Sequence, residues 1–292
     1  MKVLVTGGAG FVGTNLIKRL LKDGHKVASV DNYSTGDKKN HQDGCLYHDY
    51  DLSSQHTLGI YVDHGTYPSW REVEYDVIFH MAALARIQPS IKNPYKTLFN
   101  NFVSTLNILE LATQNNTRFV YAGSSSVHHG LFESPYAWSK FSGEDLCKLY
   151  SNVYDMDTAI CRFYNVYGPH QVEDGTWATV IGIFEKQYRE GKPLTIVGDG
   201  EQRRDFTYID DIVDGLVKCS KQPFRAEIFE LGRGKNYSMN EIANMFGEDY
   251  PKKYLDKRLG EYDVTLADYS EAKDVLDWKP TKDLSDYINS IN

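Results

Sequence analysis

A doubly wound parallel α/β sheet with a smaller second α/β lobe is the fold class this sequence predicts, and three observations predict it. A short β-branched run at residues 2–6 (KVLVT) leads into Gly7-Gly8-Ala9-Gly10-Phe11-Val12-Gly13 and then into an amphipathic stretch through Leu16, Ile17, Leu20 and Leu21. Short apolar runs recur at residues 26–30, 45–48, 76–80, 118–122 and 158–163. Asp31 closes the run at 26–30, eighteen residues beyond Gly13. Short apolar runs separated by helical segments are what a sheet buried on both faces requires. A strand, a glycine turn and a helix start together form the context of a Rossmann-type dinucleotide site.

The glycines of the first turn permit a tight bend and let backbone N–H groups approach a pyrophosphate at the helix N-terminus. A P-loop is excluded because no Gly-Lys-Ser/Thr follows. An acid at Asp31 accepts hydrogen bonds from an adenosine ribose and repels a 2′-phosphate, which favours NAD over NADP. Residues 32–40 are polar and turn-rich, so Asn32, Ser34, Thr35 and Gly36 are expected in a loop along the adenosine. Asp51 and Leu52 follow the third run, at a sheet edge where an adenine can pack. Residues 56–70 show no period and carry no functional reading.

The fourth run, 76–80 (DVIFH), is followed by Met81, Ala82, Ala83 and Ala85, small side chains that allow close approach of a cofactor. His80 at its end reads as a packed, hydrogen-bonded histidine rather than a catalytic one. Residues 95–114 form a long helix, with Leu98, Phe102, Leu106, Leu109 and Leu111 near helical spacing. Asn100 and Asn101 are poor helix formers within it, which points to one of them facing a ligand. The fifth run, 118–122, is followed by Gly123-Ser124-Ser125-Ser126, at the strand end where open α/β sheets place ligands.

Ser134-Pro135 reads as an N-cap with proline at the first helical position. Tyr136 and Lys140 then lie four apart on one helical face. A free phenol titrates near ~10, and bringing it to about 7 takes roughly 4 kcal/mol of differential stabilisation. A neighbouring ammonium and a cationic cofactor are the expected sources. Beyond residues 158–163 the alternation loosens. Residues 180–188 read as a helix, 194–197 (with Thr195 and Val197) as a strand, and 205–208 as a further β-prone run after Arg203 and Arg204. Asp210 is the expected cap of the following helix, and Ser238 with Glu241 a capping box. The expected division is a dinucleotide domain at 1–165, to which 205–220 return, and a substrate lobe from 166–204 and 221–292.

The 292 residues are 41% hydrophobic and 25% charged, ordinary values for a globular protein. The net charge of −8 argues against nucleic acid or an anionic membrane as a partner. Anionic ligands must therefore be held by local arginines and backbone amides. Cys45, Cys147, Cys161 and Cys219 show neither metal-ligand spacing nor a disulfide framework, so no metal is expected. No apolar run approaches 18 residues and Met1 leads directly into a strand pattern, so the expected location is the cytoplasm.

With these pieces placed, the chain resembles the extended short-chain dehydrogenase/reductases, close to the NAD-dependent nucleotide-sugar 4-epimerases. The likeness runs through Thr6–Gly13, Asp31-Asn32, Asp51-Leu52, the His80–Ala83 segment, Asn101, the Ser124 run, Tyr136 with Lys140, residues 162–169 (RFYNVYGP), residues 198–206 and Arg258-Leu-Gly-Glu261. The resemblance implies that Gly7, Gly10, Phe11, Val12 and Gly13 meet the NAD pyrophosphate. It sets Asp31 and Asn32 at the ribose, Asp51-Leu52 at the adenine, and Ala82, Ala83, Asn101 and the backbone of Tyr164 along the remainder. It makes Tyr136 the general base, Lys140 the group that holds the nicotinamide ribose and shifts the phenol, and Ser124 the partner of the reacting sugar oxygen, with Ser125 as substitute. Asn165, Arg204 and Arg258 are implied at the substrate diphosphate, with Thr195 and Val197 nearby.

Three departures from the family pattern stand out. Only residues 129–134 separate His128 from the tyrosine helix, where relatives carry a longer loop. His129 stands where they carry glycine. No acid follows Ser124, which disfavours the related dehydratases and decarboxylases; these remain the alternative activity, and a non-catalytic NAD-binding regulator is the alternative of another class. Thr265, at the place that gates sugar size, leaves room for an N-acetyl group. The family also implies a homodimer through helices 95–114 and 136–153, and a UDP-sugar as substrate.

Overall fold

The computed structural model describes residues 1–54, 69–128, 130–258, 260 and 262–291. Most of the aperiodic segment 56–70, together with His129, Leu259 and Glu261, lies outside the described residues. In chain order the first half runs β1 (Lys2–Thr6), α1 (Phe11–Lys22), β2 (Lys26–Asp31), β3 (Cys45–Asp49), β4 (Val77–His80), α2 (Ile87–Lys92), α3 (Pro94–Gln114), β5 (Arg118–Ser124), α4 (Pro135–Tyr154) and β6 (Thr158–Phe163). The second half runs β7 (Val166–Tyr167), α5 (Val180–Arg189), β8 (Leu194–Val197), β9 (Arg203–Asp205), β10 (Thr207–Tyr208), α6 (Ile209–Cys219), β11 (Arg225–Leu231), β12 (Asn236–Ser238), α7 (Met239–Met245), β13 (Lys252–Leu255), α8 (Ser270–Leu276) and α9 (Leu284–Asn289).

Among the described residues, seven strands pair in the order β11-β6-β5-β4-β1-β2-β3, and every pairing in that sheet is parallel. Chain direction across the sheet reverses between β1 and β4, which opens a crevice at their carboxyl ends. The two faces follow from the alternation of a strand. Val3 and Val5 pack with Leu16, Ile17, Ile212 and Leu216 on the α1–α6 side. Leu4 points the other way, into a cluster with Ile108, Leu109, Cys147 and Tyr150 from α3 and α4. A third cluster, with Phe184, Leu194, Ile196, Phe206, Ile242 and Leu284, forms around the short strand pairs β7–β10, β9–β12 and β8–β13.

Two expectations are corrected. Residues 225–231, expected in the substrate lobe, form the edge strand β11 against β6. Its pattern alternates exposed Arg225 and Glu227 with buried Ala226, Phe229 and Leu231, an edge signal rather than a continuous apolar run. Asp210 does not cap α6: the N-cap is Tyr208, without a side-chain bond, and Asp210 sits in the first turn. There a carboxylate still complements the helix dipole. By contrast, Ser238 and Glu241 form both bonds of the capping box.

Candidate active site

The glycine turn is shaped by contact as much as by conformation. Gly7 has φ +68°, and a Cβ there would lie 2.8 Å from the backbone of Ala82. A Cβ on Gly13 would lie 2.2 Å from the Gly7 carbonyl oxygen, so only glycine lets α1 start this close to β1. Asp31 braces the turn from β2: its carboxylate accepts from the N–H of Ala9 at 2.9 Å and of Tyr33 at 2.8 Å. Burial raises its pKa, and those two N–H bonds oppose the rise.

A cavity of about 560 Å³ runs from this turn across the carboxyl edge of the sheet. Its floor includes Gly7, Gly10, Phe11, Val12 and Gly13. One end is walled by Asp31, Asn32, Ser34, Thr35, Asp51 and Leu52. Met81, Ala82, Ala83 and Ala85 line it beyond β4, and Ser124, Ser125 and Tyr136 beyond β5. Across from the sheet lie Asn165, Thr195, Val197, Arg204, Arg258 and Thr265. The glycine-backed floor, the carboxylate at the β2 edge and the small residues after β4 fit a dinucleotide of the NAD type.

Four expected site residues stand outside the cavity wall. Gly36 instead passes the turn at Ala9, where a Cβ would come within 2.9 Å of the carbonyl carbon. Asn101 is 2% exposed, and its carboxamide accepts from Leu84 N–H at 2.7 Å and donates to the Ser139 hydroxyl at 2.9 Å. Its neighbour Asn100 is the one that lines the cavity. Tyr164 is buried between the lining residues Phe163 and Asn165. Lys140 is buried beneath the wall, its ammonium 4.4 Å from the centre of the Tyr121 ring.

Helix α4 starts as its sequence requires, with the Ser134 hydroxyl accepting from Ala137 N–H at 3.1 Å and Pro135 in the first turn. Tyr136 is then fixed by its own peptide: its N–H donates to Ser90 of α2 and its carbonyl accepts from Ser139. Burial raises the phenol pKa; a hydrogen bond with Ser124 and the charge of Arg86 act against that rise. The charge that acts on the phenol in this structure is that of Arg86. Burial brings the Lys140 ammonium down to about 8, and its electrostatic neighbours are Glu144 and Cys147. His80 is packed as expected, between Thr6 and Thr105, with its pKa pushed down to about 3 by burial.

On the opposite wall Asp205 is the keystone. Its buried carboxylate accepts from the N–H groups of Arg233, Gly234 and Ala267. Its own N–H donates to the Thr265 hydroxyl at 3.0 Å, and its carbonyl accepts from Asn165 Nδ2 at 2.8 Å. Arg204, Asn165 and Thr265 are thereby held on one scaffold. Sequence reasoning missed this pin, and it also missed Arg86, Trp177 and Tyr262 in the wall. The signal available for Arg86 was a lone cation directly after a run of small residues.

Comparisons with known proteins agree with this geometry. A family model described as "NAD dependent epimerase/dehydratase family" matches residues 3–232. The chain is 33% identical over 305 residues to the UDP-glucuronate 4-epimerase of Thermodesulfobacterium geofontis, covering 95% of this chain and 90% of that protein. It is 31% identical over 311 residues to the UDP-glucose 4-epimerase of Mycolicibacterium smegmatis, with 99% and 96% covered. The crystal structure of a UDP-glucose 4-epimerase with UDP-glucose from Thermotoga maritima superposes with a TM-score of 0.90 at 27% identity, covering 99% of this chain and 96% of that one.

Proposed function

The chain belongs to the NAD-dependent epimerase/dehydratase family, and from that premise we propose that it inverts C4 of a UDP-linked sugar through a transient 4-keto sugar. The observation that carries this reading is that Tyr136 and Ser124 line the same cavity as the glycine turn, with the Ser124 hydroxyl acting on the phenol against the rise that burial causes. NAD, when bound, supplies the acceptor and donor of the C4 hydride.

The chain's own residues do the rest. Tyr136 takes the proton of the C4 hydroxyl and later returns it. Ser124 holds that oxygen in line with the phenol, and Ser126 keeps Ser124 in place by donating to its Oγ from both N–H and O–H. Lys140, dry beneath the wall, is the group we assign to the nicotinamide ribose. Asp31 and Asn32 are assigned to the adenosine ribose, and Asp51 and Leu52 to the adenine. Arg204, Arg258 and Asn165 are assigned to the substrate diphosphate, for which a guanidinium pair supplies charge-assisted hydrogen bonds. The substrate lobe is taken as the part built around the third apolar cluster.

We also read α3 and α4 as the seam of a homodimer, because Tyr95, Phe99, Trp138, Leu149, Val153 and Tyr154 leave apolar side chains exposed on them. Among the described residues no helix is long and apolar enough to cross a membrane; a cytoplasmic location accords with that. The test of the activity is incubation with UDP-glucose, UDP-glucuronate and UDP-N-acetylglucosamine, with products resolved by NMR. Formation of a C4 epimer is expected from at least one of them. Binding of UDP-sugars with unchanged starting material in every case would overturn the reading.

A further inference from the structure

Arg86 acts on the Tyr136 phenol through its charge and has no other part in the chemistry described so far. It follows the small residues after β4 and lines the cavity. Both of its hydrogen bonds run to neutral backbone carbonyls: Nε donates to Trp177 at 3.0 Å and an Nη to Ala85 at 2.9 Å. Among the described residues no carboxylate forms an ion pair with it, and the side chain that acts on its charge is Tyr136. Burial lowers its pKa, the mark of a cation held without an anion. A guanidinium does not lose its proton in a protein, and a ligand that enters the cavity can supply the anion this one lacks.

The place of that anion on the substrate follows from Tyr136. Arg86 is the N-cap of α2, and Ser90 one turn on accepts the Tyr136 N–H, so both side chains line the cavity from neighbouring positions. The phenol works at the oxygen on C4, and an anion held by Arg86 lies on a carbon next to C4. On one side that is the C3 hydroxyl, which is neutral. On the other it is C5, which carries C6, the position of a hexose that can be a carboxylate. The diphosphate is already assigned to Arg204 and Arg258, which line the same cavity.

We propose that Arg86 is the receptor for a C6 carboxylate, so that the substrates are nucleotide-linked uronic acids. The inference rests on the epimerase reading above and deepens it. A strut between the loop at Ala85 and the loop at Trp177 is the structural alternative; it accounts for the two carbonyl bonds and leaves the charge unexplained, since a neutral donor would serve there.

The test compares kcat/KM for UDP-glucuronate and UDP-glucose in the NAD-loaded wild-type protein, Arg86→Gln and Arg86→Lys. A charge-assisted bond of this kind is worth about 10- to 100-fold. The wild type is expected to prefer the uronate by that margin. The ratio should fall to within about threefold of unity in Arg86→Gln and hold partway in Arg86→Lys, which keeps the charge without the fork. Calorimetric binding of both nucleotide sugars to the Tyr136→Phe protein, with and without Arg86→Gln, reads the same preference apart from turnover. Thermal unfolding and bound NAD content establish that each variant is folded.

Equal or better use of UDP-glucose, or a ratio untouched by Arg86→Gln, overturns the assignment of Arg86 and leaves the epimerase reading standing. Preferential uronate binding that depends on Arg86, with no C4 epimer from any sugar, does the reverse. Failure of the NAD-loaded Tyr136→Phe protein to bind UDP-glucuronate overturns the assignment as well.

Discussion

The two ends of the cavity are built on different principles. At the glycine end the shape is fixed by backbone contact: Gly7 against Ala82, Gly13 against Gly7, and Asp31 clasping two N–H groups. At the tyrosine end the shape is ordinary helix and the function lies in buried charge: Tyr136 pushed up by burial, Lys140 pushed down, and Arg86 bonded to two backbone carbonyls and, among the described residues, ion-paired with no carboxylate. Steric sites fail when an atom is added, whereas electrostatic sites fail when a charge or a proton is removed. The two ends should therefore respond to different insults.

The largest effect is expected at the tyrosine end. Tyr136→Phe removes the proton acceptor without changing the volume of the side chain, so turnover should drop by about 10²–10⁴-fold. NAD content and thermal stability should stay near wild type, and both can be measured on the purified protein. At the glycine end the pattern is inverted. Gly13→Ala drives a methyl into the Gly7 carbonyl, and overpacking of this kind costs about 1–3 kcal/mol. Lower stability and lost NAD are expected together, read by denaturant unfolding and by cofactor content after gel filtration. A Gly13→Ala protein that keeps both would break the comparison.

A smaller, pH-dependent effect sharpens it. The Lys140 ammonium titrates near 8 in the folded protein against an ordinary value of 10.5. Between those pH values the unfolded chain binds the extra proton, so stability contributed by this site rises with pH. The burial cost is borne in full below about pH 8 and relieved by about pH 10.5, a change of order 3 kcal/mol at most. Lys140→Met should lack this rise, so the wild-type-minus-variant difference in unfolding free energy should grow in favour of wild type from pH 7.5 to 10. Equal slopes would show that the ammonium is better solvated than its burial beneath Tyr121 implies.

The same division explains what was legible in the sequence. The glycine spacing, Asp31, the Ser134 cap and the parallel strands are local patterns, and each can be read from neighbours in the chain. Edge strand β11 was not legible, because Arg225 and Glu227 face water and its alternation carries no parallel-sheet signature. Tyr136 and Lys140 were found by their spacing. Their electrostatics were not, because the charge acting on the phenol comes from Arg86, fifty residues upstream, while the lysine is drawn to the Tyr121 face. Helix propensity points to one of Asn100 and Asn101 as facing a ligand, and the family resemblance selects Asn101. It proves to bond Leu84 and Ser139 within the fold, and Asn100 beside it reaches the cavity. Spacing locates a face, but it does not say which of two adjacent residues points where.

The central claim is that one phenol, beside a dinucleotide cavity, serves a hydrogen that leaves C4 and comes back to it. A UDP-sugar deuterated at C4, incubated with the protein in ordinary water, tests this most directly. The account predicts a C4 epimer that retains deuterium at C4, and no such epimer with Tyr136→Phe. An epimer whose C4 deuterium has exchanged with solvent, or one formed equally well by Tyr136→Phe, would contradict it.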